Sequence, residues 1–351
     1  MLALFAPVLF LLLASLIMLA SISWPIALLQ LLWATVGVGV VVLLRYWDWR
    51  SLLNYRWLTI GLYLLLLAVL GFILLRGPLV RNVRGWLVWG PLMFQPVELM
   101  KVVLILLYAQ FFSYRHIFIA RLGTIFASLI FFAVPAGLTL VQPDLGQTVV
   151  LFAIWLGYLL CSGLPLRRIM LLVGLLAAAG VMLWFVGLKD YHRARITAFF
   201  YPERDALGIN YSLAQSKIAI GSAGPWGKGF GQGTQTQLGF LTVPSNDFIL
   251  AALTEEWGWS AALAVLAAVT TLVISILRVG LRAPQNFEKF VCLGVALVVG
   301  AQFLLNAGSV TGLLPVIGIP FPFLSHGGAN LLTLFLLLGM VNAIRTQSTH
   351  A

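Results

Sequence analysis

The residues predict an all-α polytopic membrane protein with ten transmembrane helices, cytoplasmic N- and C-termini and a long extracytoplasmic loop between helices 7 and 8. Three observations carry that prediction. The 351 residues are 62% hydrophobic and only 9% charged, with a mean hydropathy of +1.04, whereas soluble domains are about 25% charged. Apolar runs of roughly 18–21 residues recur along the chain, each long enough to cross a hydrocarbon core about 30 Å thick. Lys and Arg are shared unevenly between the connections. A β-barrel is excluded, because the runs are continuous and do not alternate.

The runs fall at 3–22, 26–44, 57–75, 97–114, 122–141, 147–163, 169–187, 250–277, 290–309 and 328–345. No Lys or Arg precedes the first run, and a secretory signal needs a basic leader, so it reads as a retained helix. With the N-terminus inside, the cytoplasmic connections and tail carry Arg45, Arg50, Arg56, Arg115, Arg121, Arg167, Arg168, Arg278, Arg282, Lys289 and Arg345. The short outer connections carry only Arg76, Arg81 and Arg84. Positive charge accumulates on the cytoplasmic side of short loops, so this asymmetry fixes the orientation. The +11 net charge is then mostly an orientation signal, and no basic nucleic-acid motif accompanies it. Cys161 and Cys292 both lie in apolar runs, which argues against a disulfide, and no histidine pair has metal-ligand spacing. The whole chain 1–351 reads as one transmembrane domain.

Charge inside a bilayer is costly, so its exceptions are informative, and here they crowd the outer side. In "WGPLMFQPVELMKVV" (89–103), Pro96 suits a first helical turn, and Glu98 and Lys101 share a face at i, i+3. Spacing alone allows two roles: an ion pair lining an outward cavity, or a snorkelling lysine beside a glutamate favoured by the helix dipole. In "VQPDLGQT" (141–148), Asp144 sits in a tight outer turn and suits a helix cap.

The outer loop 188–246 opens with the basic, aromatic and interfacial "LKDYHRARITAFFYPERD". The apolar spacing of "YSLAQSKIAIGSAG" (211–224) suits a short amphipathic helix in the membrane surface. "GSAGPWGKGFGQG" (221–233) lacks the P-loop spacing. Its glycine-rich backbone beside Lys228 is either a flexible loop or a nest for phosphate oxygens.

"FLTVPSNDFILAALTEEWGW" (240–259) holds Asp247, Glu255 and Glu256, three of the ten acidic residues in the chain. Counting back from Arg278 puts the outer boundary near Trp257, so both glutamates fall at the interface. A straight helix would lift Asp247 about 12–15 Å above it, and a kink at Gly258 would lower it. Asp247 either favours a helix N-terminus or stands over a cavity. Finally, the prolines and glycines of "TGLLPVIGIPFPFLSHGGAN" (311–330) forbid a continuous helix. An irregular apolar segment at this depth must be covered by protein or line a cavity, which predicts a folded-back outer element over 311–328.

Taken in order, "FQPVELMK", "QPDLGQ", "PWGKGFGQGTQTQLGF", "NDFILAALTEEWGW" and the 311–330 segment resemble the SEDS family (shape, elongation, division and sporulation), bacterial peptidoglycan glycosyltransferases. The resemblance covers roughly residues 84–345. Within the family it is most similar to the elongation member, with the division member the nearest competitor. Val97, His326 and Asn246 depart from the usual Ser, Tyr and Thr.

The resemblance implies action on lipid II in the bacterial cytoplasmic membrane, beside a class B penicillin-binding protein transpeptidase and other membrane proteins of the elongation complex. It implies Asp247 as the essential aspartate, with Glu98 and Lys101 as the paired positions. An inverting displacement needs a base, read as Asp247, and positive charge near the pyrophosphate, for which Lys217, Lys228, Arg193, Arg195 and Lys101 are the open candidates; Asp144 and Ser325 join the substrate-binding set. No cofactor is certain. A divalent cation is compatible with the chemistry, and its ligands are unknown. Two readings compete: a flippase for lipid-linked precursors, which would bury polar groups near the midplane, and a scaffold, which needs no carboxylate at all.

Overall fold

Long apolar runs become long helices because no water is available in lipid for unpaired backbone groups. The computed structural model describes residues 2–46, 55–80, 83–90, 92–115, 122–182, 184–185, 190–201 and 210–348. Helices α1 (Leu2–Ile22), α2 (Trp24–Tyr46) and α3 (Arg56–Arg76) are followed by a small hairpin, β1 (Leu87–Trp89) and β2 (Leu92–Phe94). Next come α4 (Pro96–Arg115), α5 (Leu122–Val141), α6 (Leu145–Cys161) and α7 (Leu166–Met182). The outer-loop sequence contains α8 (Asp190–Phe200), α9 (Tyr211–Ser222) and the single turn α10 (Thr234–Gln237). The chain closes with α11 (Ile249–Arg282), α12 (Asn286–Thr311) and α13 (Gly328–Ser348).

Among the described residues, eight helices are long and apolar enough to cross a membrane: α1 to α5 and α11 to α13. Helix α6 is apolar but has 17 residues, and α7 also has 17. The architecture is that of a multi-pass membrane protein. The predicted runs 147–163 and 169–187 are shifted and shortened: α6 starts earlier because Asp144 caps it, accepting from the Gln147 N–H at 3.1 Å. The end of the run 169–187 lies partly outside the described residues. The hairpin was not expected. Gly90, at φ 60°, turns the chain, and Leu87 pairs with Phe94.

Helices α4 and α13 form the centre, while α1 to α3 present Leu and Val to lipid. Towards the end of α4, Phe112 stacks on Tyr158 of α6 at 5.7 Å, and Tyr158 donates to Phe290 O of α12 at 2.7 Å. Gly294 leaves room for that hydroxyl, since a Cβ there would lie 2.3 Å from it.

An irregular, buried segment follows α12, where the prolines and glycines forbid a continuous helix. Helix α12 ends at Gly312 in the left-handed region, and residues 313–327 are irregular. Ile317, Ile319, Phe321, Phe323 and Leu324 are buried. A buried irregular backbone needs partners, and side chains of three helices supply them. Ser309 Oγ donates to Pro315 O at 2.9 Å, Asn306 Nδ2 to Ile319 O at 2.7 Å, Ser15 Oγ to Leu324 O at 2.6 Å and Gln30 Nε2 to Ser325 O at 3.3 Å.

Candidate active site

Two polar clusters meet on opposite sides of the irregular segment. The first is built by α4 and the turn before α6. Lys101 Nζ donates to both oxygens of Glu98 at 2.9 Å, and both side chains are buried. Gln147 Nε2 donates to Glu98 Oε1 at 2.9 Å, and Gln95 Nε2 to Asp144 Oδ2 at 2.7 Å. The chain of contacts therefore runs from Lys101 through Glu98 and Gln147 to the Asp144 turn. Burial pushes the Asp144 carboxyl up to about 6, against the opposing pull of the Gln147 N–H and the Lys101 charge.

The second cluster is the stretch before α11. Asp247 is half-buried, one residue ahead of the helix cap Phe248. The carbonyls of three successive residues are each held: Ser245 O by the His326 N–H at 2.9 Å, Asn246 O by Ser325 Oγ at 2.6 Å and Asp247 O by Asn306 Nδ2 at 2.8 Å. Burial lowers the His326 imidazole below its ordinary value, so it is neutral at neutral pH.

Residues 317–318 join the clusters. A Cβ on Gly318 would lie 3.4 Å from Asp247 Oδ2, and a Cβ on Gly146 would lie 2.8 Å from Ile317 O. One strip of backbone thus touches the Asp247 carboxylate on one side and the first turn of α6 on the other.

Glu255 and Glu256, which the sequence places near the membrane boundary, are buried within the protein. At Gly258 (φ 82°, ψ 178°) the α11 backbone leaves the helical path, and the glycine loop fills the break. Lys228 N and Gly229 N donate to Glu255 O and Glu256 O at 3.0 and 2.9 Å, while Trp259 N and Ser260 N donate to Gly224 O and Pro225 O at 3.0 and 3.3 Å. The carboxylates clasp the same loop. Glu255 accepts from Lys228 Nζ, Gln235 N and Thr236 N at 2.8, 2.9 and 3.0 Å. Glu256 accepts from Ser21 Oγ of α1, Gly231 N and Gln237 Nε2 at 2.6, 3.1 and 2.9 Å. These two acids hold the loop in place.

A profile of the cell cycle protein family FTSW_RODA_SPOVE matches residues 1–350. The chain belongs to the SEDS family. It is 38% identical over 284 residues to the peptidoglycan glycosyltransferase MrdB of Escherichia coli strain K12, covering 81% of this chain and 75% of the relative. It is 36% identical over 273 residues to the probable peptidoglycan glycosyltransferase FtsW of a Synechocystis strain, covering 78% and 68%. Stage V sporulation protein E of Bacillus subtilis strain 168 is 32% identical over 338 residues, covering 92% and 87%. Among solved structures, it resembles a chain from a study of how a peptidoglycan synthase complex coordinates polymerization and crosslinking, with TM-score 0.85, 27% identity and coverage of 99% and 98%. It also resembles the rod shape determining protein RodA of Thermus thermophilus, with TM-score 0.73, 26% identity and coverage of 99% and 97%.

The candidate residues of this SEDS chain fall into groups. Asp247 and Ser325 lie with the irregular segment, and the first turn of α6, capped by Asp144 and joined through Gln147 to Glu98, packs against it. Ser325 is buried, gives its proton to Asn246 O and accepts from Phe321 N at 2.7 Å, so it positions backbone. Lys101 and Lys228 spend their charge on Glu98 and Glu255. Lys217 is exposed on α9, with its ammonium over Gly312, and has no described ion pair. Arg193 donates to Phe185 O at 3.0 Å, and the Arg195 side chain lies outside the described residues. Among the described residues, no three His, Cys, Asp or Glu side chains converge as a metal site. Sequence reasoning missed Gln95, Gln147, Asn306 and Ser21. Gln95 and Gln147 stood inside quoted motifs and were readable there, whereas a single Asn or Ser in an apolar run leaves no pattern.

Proposed function

We propose that the chain is a peptidoglycan glycosyltransferase that polymerises lipid II into glycan strands at the outer face of the bacterial cytoplasmic membrane, for cell elongation. The observation that carries this reading is the half-buried Asp247 carboxylate, held on a clamped backbone and facing Gly318. The names of the similar proteins support it, with the elongation-type relative at 38% identity and the division-type one at 36%.

The donor sugar is α-linked to pyrophosphate, and the product bond is β-1,4, so the reaction inverts C1. The acceptor 4-hydroxyl oxygen forms the new bond to C1 as the bond from C1 to the pyrophosphate oxygen breaks. The hydroxyl proton passes to Asp247, and polyprenyl pyrophosphate leaves with the electron pair. Lys217 is the exposed cation for that leaving charge; α9 reaches the Asp247 approach through Thr242 Oγ1 on Ser212 Oγ at 2.6 Å. The prenyl tails stay in lipid, and the phosphoanhydride already activates the sugar, so no nucleotide is needed. Ten spans with both termini cytoplasmic put this chemistry outside the cell. The partner is a class B penicillin-binding protein that crosslinks the new strand, a reading supported by the likeness to a chain of a peptidoglycan synthase complex.

Purified protein with labelled lipid II and no other protein tests the reading. Wild type polymerises; Asp247→Asn loses at least about 100-fold in rate, the usual scale for a general base. Near-wild-type polymerisation by Asp247→Asn removes the base assignment.

A further inference from the structure

Asp247 precedes α11, whose cap residue Phe248 makes no side-chain capping bond. The backbone that carries the carboxylate is set by what holds residues 245–247. Ser325 and His326, which hold the first two carbonyls, belong to the irregular segment itself. The third holder, Asn306, comes from α12 and is only 2% exposed. An amide nitrogen has two protons to give, and Asn306 Nδ2 gives one to Asp247 O at 2.8 Å and the other to Ile319 O at 2.7 Å. Ile319 follows Gly318, the residue against Asp247 Oδ2. One amide therefore fixes both the backbone that carries the carboxylate and the backbone that the carboxylate faces.

We propose that Asn306 is a positioning residue for Asp247, setting the separation between the carboxylate and the Gly318–Ile319 backbone. This rests on Asp247 being the base proposed above. The alternative is that Asn306 only satisfies a buried carbonyl, as Ser309 one turn further on does for Pro315 O. Ser309 has no described contact with residues 245–247, so it provides the control.

The experiment uses full-length purified protein and labelled lipid II, measuring kcat, KM and Tm for Asn306→Ala, Asn306→Asp and Ser309→Ala. Asn306→Asp keeps the shape and replaces both donors with acceptors. Both Asn306 variants are expected to lose about 100-fold in kcat, the scale of a 1 Å misplacement, with KM within about threefold; Ser309→Ala stays within about threefold in both. Either Asn306 variant with kcat near wild type overturns the proposal. So does a Ser309→Ala loss as large as that of Asn306→Ala, or failure of both Asn306 variants to fold, since each marks a merely structural role. If only Asn306→Ala fails to fold, Asn306→Asp decides. A parallel Asp247→Asn measurement separates the two claims: an active Asp247→Asn sinks the base assignment, whereas an inactive one beside an active Asn306→Ala sinks positioning alone.

Discussion

At the scale of single residues, the outer carboxylates divide by what surrounds them. Glu255 and Glu256 are saturated with backbone and side-chain donors, and Glu98 is neutralised by Lys101. Asp144 is different, because burial dominates its surroundings and raises it to about 6. A carboxyl raised above its unfolded value near 3.9 contributes most to stability below that value, and the contribution is lost as pH rises through the folded one. Asn at this position keeps an oxygen for the Gln147 N–H and carries no charge. Asp144→Asn should therefore match or fall below wild type in Tm near pH 4. It should gain on wild type as pH rises from about 4 to about 6 and then level off, by on the order of 3 kcal/mol in all. Thermal melts of both proteins in the same detergent across pH 4–8 check this; a difference that does not change with pH defeats it.

At the scale of elements, much of the helix layout was legible because apolar length is a strong signal: 122–141 is the bounds of α5, and α1, α3 and α4 start within a residue of the predicted spans. What was not legible was anything made by backbone donors. The burial of Glu255 and Glu256 depends on N–H groups of 231, 235 and 236, which no residue type announces. The docking of the glycine loop depends on the break at Gly258, which the residues permit but do not require. That break gives a sharp test. A Cβ at Gly258 would lie 2.3 Å from Pro225 O, and the backbone sits in the left-handed half of the map at φ 82°. Gly258→Ala should cost about 3 kcal/mol or more through strain and overpacking together, with the 224–237 loop losing amide protection from hydrogen exchange. Gly300 of α12 has open space around it, so Gly300→Ala should be neutral or stabilising by up to about 1 kcal/mol. Equal effects at the two sites would refute the inserted-loop account.

For the whole molecule, the site makes sense only with one orientation. The Asp144 turn, the Asp247 stretch and the glycine loop gather at one end of the bundle. The Lys and Arg asymmetry predicts a cytoplasmic location for the other end, since positive charge accumulates on that side of short loops. Helix α6 links the two ends: Asp144 caps its start, and Cys161, an exposed thiol, closes it. Leu313, 77% exposed just beyond α12, lies at the Asp247 end. A membrane-impermeant maleimide applied to intact spheroplasts should label Leu313→Cys in a Cys161→Ser background, and should label the natural Cys161 only after permeabilisation. Cys292 is buried and supplies the unreactive baseline. Labelling of Cys161 in sealed spheroplasts would put the Asp247 end in the cytoplasm, away from any extracytoplasmic glycan. The charge asymmetry would then not set which side the Asp247 end faces.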